Sequence, residues 1–309
     1  MTRRRLPLLL MAGAAAGAAL AFLRHRARRP RLMYAALQGG PLLIAHRGGS
    51  LLAPENTLPA FRDAVHAWAA DMIELDVRAS ADGRCVVMHD PTVDRTTDGT
   101  GAVAAMPYAQ LAELDAGYRF TSDGGTTFPY RAQGAGIPTI EEVLETLPDT
   151  RLTIEVKAAA AQAPLFDAIR RFGAAHRVVA AGMHEEDRTQ FQGYPGAISA
   201  STESLRAFWV LHRLHMTGLV RLGADVVQAP EFYDRHHVVT PSFVRAVHAQ
   251  GVPFHVWTVN EERDMNRFLD WGVDGILTDR PDLLGRVLNA RNGRALAPGH
   301  ARGRGSSAH

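Results

Sequence analysis

Lysine is all but missing from this chain: Lys157 is the only one in 309 residues, against 33 arginines. Arginine serves every general surface purpose here, so a single lysine at the end of an apolar run invites a specific role. The bland alternative is a survivor of codon bias. Cysteine is as scarce. Cys85 stands alone, so no intrachain disulfide can form, although that alone does not fix the compartment. The body also lacks positive charge. Residues 1–31 hold eight arginines and no acid, and residues 290–309 hold four more and no acid. Without those twelve, 22 basic residues face 32 acidic ones, a body charge of about −10 behind a formal net charge of +2. A general nucleic-acid binder places positive charge on its folded surface, so the acidic body argues against that class. Hydrophobic content of 46% and charged content of 21% fit a globular enzyme.

The N-terminus reads differently from the body. Arg3, Arg4 and Arg5 precede LPLLLMAGAAAGAALAFL, an uncharged run of 18 at residues 6–23, near the lower limit for spanning a bilayer. Residues 1–40 are therefore expected to be a membrane anchor, a single N-terminal helix followed by a basic linker. A cleaved signal peptide with export is the rival reading. Arg24, Arg26, Arg28, Arg29 and Arg31 follow at once and resist translocation, which favours a cytoplasmic face for the body. The basic patch also suits anionic lipid headgroups, so a membrane is an expected partner. No obligate protein partner is expected.

From residue 41 to 291 short apolar runs alternate with amphipathic stretches. The runs are LLIAH, MIELDV, LTIEVK, VVAAG, GAISA, DVVQA, PFHVWTV and GILTD. Helical patterns fall between them, including one over 186–193. Eight strands each followed by a helix predict an α/β fold, a (β/α)8 TIM barrel, with an open doubly wound sheet as the rival. Residues 91–136 break the rhythm and read as an insertion after the second barrel strand. The tail 292–309, rich in Gly, Arg and Ser, is expected to be disordered.

Charged residues gather at the strand ends. Glu74 and Asp76 stand at i and i+2, so on a strand they share a face, while Ile73, Leu75 and Val77 take the other. Two carboxylates inside a barrel mouth are costly unless a cation binds them. Glu155 and Lys157 repeat the spacing on the next barrel strand. Three converging carboxylates beside one ammonium suit a hard divalent cation, Mg²⁺ or Ca²⁺. The alternative is an internal salt-bridge network of Glu74, Asp76, Glu155, Lys157 and Arg47. His46 and His89 each leave an apolar run beside charged residues, which fits an acid–base pair better than two satisfied core histidines. Arg47 matches the bidentate demands of a phosphate oxygen. Glu55 is placed to reach the cation or to orient Arg47, Asn56 to hold the loop and Thr57 to cap a helix. Trp257 either walls the mouth or packs behind its strand, with Asn260 and Asp279 nearby. In the insertion, Tyr108, Leu111 and Leu114 either guide an acyl chain or pack the insertion on the barrel. The ensemble suits phosphodiester hydrolysis.

These residues sit in recognisable stretches: HRGG at 46–49, PENTLPAF at 54–61, IELDV at 73–77 and DGRCVVMHDPTVDRTTDGTG at 82–101. IPTIEEVL at 137–144, IEVK at 154–157, WTVNEE at 257–262 and GVDGILTDRP at 272–281 continue the series. In that order they resemble the glycerophosphodiester phosphodiesterase family. The resemblance implies hydrolysis of glycerophosphodiesters to sn-glycerol 3-phosphate and an alcohol, with Mg²⁺ or Ca²⁺, and hence a place in glycerol and lipid metabolism. It implies Glu74, Asp76 and Glu155 as metal ligands, His46 as base and His89 as acid. Arg47 and Lys157 match phosphate-contacting residues, Glu55 a further site carboxylate, and Trp257 the substrate-facing aromatic. Ala70 stands where the family commonly has glycine. IPTIEEVLETLPDT, VPFHVWTVNEE and the anchor-like segment are similar to a membrane-anchored, lysophospholipase D-like branch. That branch releases lysophosphatidic acid and choline or ethanolamine from lysophospholipids. A non-catalytic barrel that binds phospholipid headgroups is the rival class. A sphingomyelinase-like phospholipase D is disfavoured, because such toxins are usually disulfide-stapled.

Overall fold

The computed structural model describes residues 34–302. The strands are β1 Leu42–His46, β2 Met72–Ala79, β3 Cys85–Val87, β4 Arg151–Val156, β5 Val178–Gly182, β6 Ala197–Ile198, β7 Val227–Pro230, β8 Phe232–Tyr233, β9 His236–His237, β10 Phe254–Trp257 and β11 Gly275–Thr278. All but β3 and the antiparallel pair β8–β9 are parallel, and these eight curl into the expected barrel. Their order around the sheet is β6-β5-β4-β2-β1-β11-β10-β7. A parallel bridge between Ser199 and Val226 closes the ring. The seam is thin, and Asp225 reinforces it by accepting from the Ile198 amide at 2.9 Å.

Strand parity explains the interior. Leu42, Ile44, Met72, Val179, Ala197, Val226 and Leu277 point inward and form one buried apolar cluster. Continuing two residues along those inward rows gives His46 after Ile44, Glu74 and Asp76 after Met72, and Asp279 after Leu277. The register sets His46 beside Glu74 and Asp76 beside Glu155. A mostly apolar plug, joined by the polar trio Thr153, Gln228 and His255, therefore fills the barrel and the charges collect at its C-terminal mouth. Residues of opposite parity, among them Ile73, Leu75, Val77, Leu152 and Ile154, pack outward with the helix residues Phe61, Ile140 and Leu165. Within the plug, Gly275 makes room for His255, since a Cβ there would lie 2.8 Å from the His255 ring.

The helices Leu58–His66, Ile140–Thr146, Gln162–Arg171, Thr202–Arg213, Pro241–His248, Glu262–Asp270 and Pro281–Asn292 cover the barrel. Thr57 caps its helix as expected, accepting from the Ala60 amide, and Thr240 likewise accepts from the Phe243 amide. Thr139 forms a reciprocal capping box with Glu142. One expected helix is missing: in place of 186–193 there is only a 3-10 turn, Glu185–Arg188. That segment is too short to sustain a helix on propensity, and only Phe191 of it reaches the core cluster.

The insertion leaves β2 through the short antiparallel strand β3, Cys85–Val87. It closes on its own small core, which includes Val86, Met88, Val93, Val103, Leu111 and Ile137. Leu111 is fully buried there, with Tyr108 and Leu114 packed against the same cluster. These three residues brace the insertion, as the second of the two readings had it.

Two expectations at the termini change. The tail packs as far as His300: Arg294 donates to Asp71 Oδ2 and to the Ala69 carbonyl, each at 2.6 Å. The Gly299 amide bonds the Ala67 carbonyl at 2.8 Å, and His300 sits edge-on to Trp68. At the N-terminus, the expectation of a transmembrane helix, with a membrane partner and a membrane-anchored location, is withdrawn. No helix among the described residues is long and apolar enough to cross a membrane. The run 6–23 that prompted it lies outside those residues, as does the signal-peptide alternative.

Gly48 links the fold to the mouth. Its φ is +86°, and an added Cβ would lie 2.8 Å from Phe61 Cδ1 and 2.9 Å from Ala60 Cβ. Gly48→Ala combines left-handed strain with overpacking and should lower stability by at least about 2 kcal/mol, read as a reduced urea midpoint. An unchanged midpoint would show that the first loop relaxes freely.

Candidate active site

The mouth is built from three inward carboxylates. Glu74, Asp76 and Glu155 each offer an oxygen within 4.8 Å of the others. Glu74 and Asp76 are buried, at 4% and 1% exposure. Burial and the neighbouring Asp76 charge push Glu74 up to about 7. Burial would raise Asp76 too, but the Lys157 and Arg47 charges outweigh it and hold Asp76 below the usual carboxylate range. Lys157 Nζ lies 2.8 Å from Glu155 Oε1 and 3.3 Å from Asp76 Oδ1. Asn56 donates to Asp76 Oδ2 at 3.0 Å and accepts the Asp76 amide at 3.3 Å. A buried carboxylate whose pKa is raised for want of compensating charge fits a divalent-cation site of oxygen donors. The three sequence-predicted ligands thus do converge.

The first loop turns on Arg47 and Asn56, both in left-handed backbone at φ 52° and 58°. That conformation aims the Arg47 amide at Glu74 Oε2, 3.0 Å away. It also lays the guanidinium against two acids, with Nη1 donating to Glu55 Oε1 at 2.9 Å and Nε 3.3 Å from Asp76 Oδ2. Glu55 lies outside the three-carboxylate cluster. Of its two expected placements, the one beside Arg47 is observed.

His46 and His89 both line the same pocket as the carboxylates. His46 Nδ1 is 2.6 Å from Asp279 Oδ1, leaving Nε2 3.9 Å from Glu74 Oε2. Burial lowers the His46 pKa, yet the Asp279 hydrogen bond and the Glu74 charge overcome it, so it is raised overall. Ser50 and Asn260 donate to Asp279 at 2.5 and 2.7 Å. His89 Nδ1 is 2.6 Å from Asp90 Oδ1. A hydrogen bond from Arg95 is the main cause that takes Asp90 down to about 2. Each histidine therefore has one ring nitrogen tied to an aspartate, which fixes its tautomer and frees Nε2.

The cavity holds about 570 Å³ and is lined on its far side by Met183, Leu205, Trp209, Val210, Val238 and Trp257. Trp257 thus faces the mouth. Reading the sequence alone missed the roles of Asp90, Arg95 and Asp279 as partners of site residues, and missed Gln228 and Thr153 on the cavity floor. Asp90 had a signal, its adjacency to His89. Arg95 had none, because its partners are 5 and 40 residues away.

A model of the glycerophosphoryl diester phosphodiesterase family matches residues 46–283. The chain is 35% identical over 261 residues to the probable glycerophosphodiester phosphodiesterase 2 of Mycobacterium tuberculosis, covering 82% of this chain and 92% of that one. It is 34% identical over 252 residues to a glycerophosphodiester phosphodiesterase of Caldanaerobacter subterraneus, covering 79% and 96%. In fold it is similar to the crystallised glycerophosphoryl diester phosphodiesterase domain of an uncharacterized M. tuberculosis protein. The TM-score there is 0.70 at 24% identity, over 81% of this chain and 98% of that one.

The raised Glu74 pKa carries a stability consequence. A carboxylate that holds its proton more tightly folded than unfolded destabilises the fold as pH rises from its unfolded pKa to its folded one. Without divalent cation, Glu74→Gln should therefore gain stability over the wild type, by about 1–3 kcal/mol at pH 8 and little at pH 4. Added cation should raise the melting temperature of the wild type and not of the variant. Melting curves at the two pH values, with and without cation, check this, and a variant less stable at pH 8 would refute it.

Proposed function

The chain belongs to the glycerophosphoryl diester phosphodiesterase family and is a phosphoric diester hydrolase, and on that premise we propose that it cleaves glycerophosphodiesters to sn-glycerol 3-phosphate and an alcohol. Family membership sets aside the non-catalytic headgroup-binding alternative. The observation that carries the reading is the meeting, in one cavity, of three carboxylates, two cationic side chains and two histidines. Glu74, Asp76 and Glu155 would hold one Mg²⁺ or Ca²⁺. When bound, that ion neutralises charge growing on the phosphoryl oxygens. Arg47 and Lys157 are the cationic side chains placed to bind and orient the phosphodiester. His46, tied to Asp279 through Nδ1, takes the proton of the attacking water at Nε2. His89, tied to Asp90, gives a proton to the leaving alkoxide as the phosphorus–oxygen ester bond breaks. One proton is taken and one returned, so the pair exchanges roles and must reset between turnovers. The apolar plug beneath the charges keeps bulk water out from below and strengthens every charge–charge contact above it.

A second reading, lysophospholipase D action on single-chain phospholipids, is supported by the far wall of the cavity. Leu205, Trp209 and Val210 there offer apolar surface that a deacylated glycerophosphodiester does not need. The two readings share one mechanism and differ in what occupies that wall.

Release of product from glycerophosphocholine and from lysophosphatidylcholine tests both. EDTA should abolish release from either, Mg²⁺ or Ca²⁺ should restore it, and His46→Ala should lower kcat at least about 100-fold. Activity that survives EDTA would sink the cation assignment. Trp209→Ala should raise KM for the lysophospholipid while leaving glycerophosphocholine untouched, and equal effects on the two would remove the second reading.

A further inference from the structure

Arg95 stands outside the cavity lining, on the insertion, and nothing in the proposed chemistry uses it. Its hydrogen bonds are nevertheless unusually committed. Nε donates to Asp90 Oδ2 at 2.6 Å, Nη1 to Glu55 Oε2 at 2.7 Å and Nη2 to Glu55 Oε1 at 2.7 Å. Glu55 is therefore held in a bidentate fork, and its Oε1 also accepts from Arg47 at 2.9 Å. Asp90 uses its other oxygen on His89 Nδ1 at 2.6 Å. The result is a continuous chain of contacts running His89–Asp90–Arg95–Glu55–Arg47–Asp76, the last step 3.3 Å long.

Its members come from separate parts of the fold. Glu55 lies in the loop after β1, Asp90 follows β3, and Arg95 belongs to the excursion beyond. Ladders from β1 to β2 and from β2 to β3 place the roots of the two loops, and beyond the strand ends side chains tie the Glu55 loop to the Asp90 loop. A half-exposed ion pair is ordinarily worth little. Arg95 differs, because its planar fork satisfies both oxygens of a Glu55 side chain that is only 15% exposed, and because three further charged groups lean on that geometry.

We propose that Arg95 is a positioning residue: it sets the orientation of His89 through Asp90 and of Arg47 through Glu55, coupling the insertion to the two sides of the mouth. The proposal takes its roles for His89 and Arg47 from the function proposed above. Its physical content, that the His89 ring and the Arg47 guanidinium lose fixed placement without Arg95, stands apart from activity.

Arg95→Gln and Arg95→Lys test it. In the glutamine variant kcat should fall about 10- to 100-fold, and the losses from Arg95→Gln and Asp90→Asn should combine to less than their product, since the two changes share the path to His89. Lysine restores charge without the fork and should recover only part of the rate. Independently of turnover, ¹⁵N spectra of cation-free protein should show His89 in a single tautomer in the wild type and exchanging between tautomers in Arg95→Gln. If the glutamine variant does not fold, the lysine variant supplies the same readouts. A lowered melting temperature with kcat, KM and the His89 signals unchanged would make Arg95 a brace of the insertion and overturn the proposal. If the wild type cleaves no glycerophosphodiester, the functional reading fails while the ¹⁵N spectra still decide the role of Arg95.

Discussion

Glu74 and Asp76 are buried on one strand with Glu155 beside them on the next, and much of the molecule can be read as an answer to that concentration of negative charge. Desolvation alone would protonate the group or drive it apart. The compensation comes from three directions. Arg47 approaches from the first loop, Lys157 from the top of β4, and Asn56 grips Asp76 with both ends of its amide. Even so, Glu74 keeps a raised pKa. The residual imbalance is what a divalent cation would relieve.

The lone lysine fits this frame. Its ammonium sits between Glu155 and Asp76, where a compact point charge reaches both. A planar guanidinium would need more room and would impose a direction. Arg47 and Arg95, by contrast, use that planarity, each touching two acids at once. The two cation types are divided according to the shape of the gap between carboxylates.

Strands fix the carboxylates, whereas loops fix what works beside them. Glu74, Asp76 and Glu155 are placed by a hydrogen-bonded ladder that leaves little freedom. His46 ends its strand and depends on Asp279, itself held by Ser50 and Asn260. His89 lies past the end of β3, and its ring is held by Asp90, which in turn leans on Arg95. Polar partners therefore matter most where the backbone ladder ends, which is also where a barrel keeps its variable chemistry.

Much of this was legible in the chain itself, for a local reason. Side-chain parity on a strand is covalent geometry, so the i, i+2 spacing of Glu74–Asp76 and Glu155–Lys157 already placed both pairs on one face, and the apolar runs counted out eight strands. The capping Thr57 was likewise readable, because a cap and its amide lie three residues apart. The helix expected at 186–193 is absent and the described part of the tail packs as far as His300, since contacts with distant elements decide both. Tertiary structure alone closed the barrel at Ser199 and Val226. It alone brought Asp279 to His46 across 233 residues, and gave Arg95 its place between Glu55 and Asp90. Periodicity encodes which face a side chain takes, but a pairing across such separations exists only once the strands have closed into a ring.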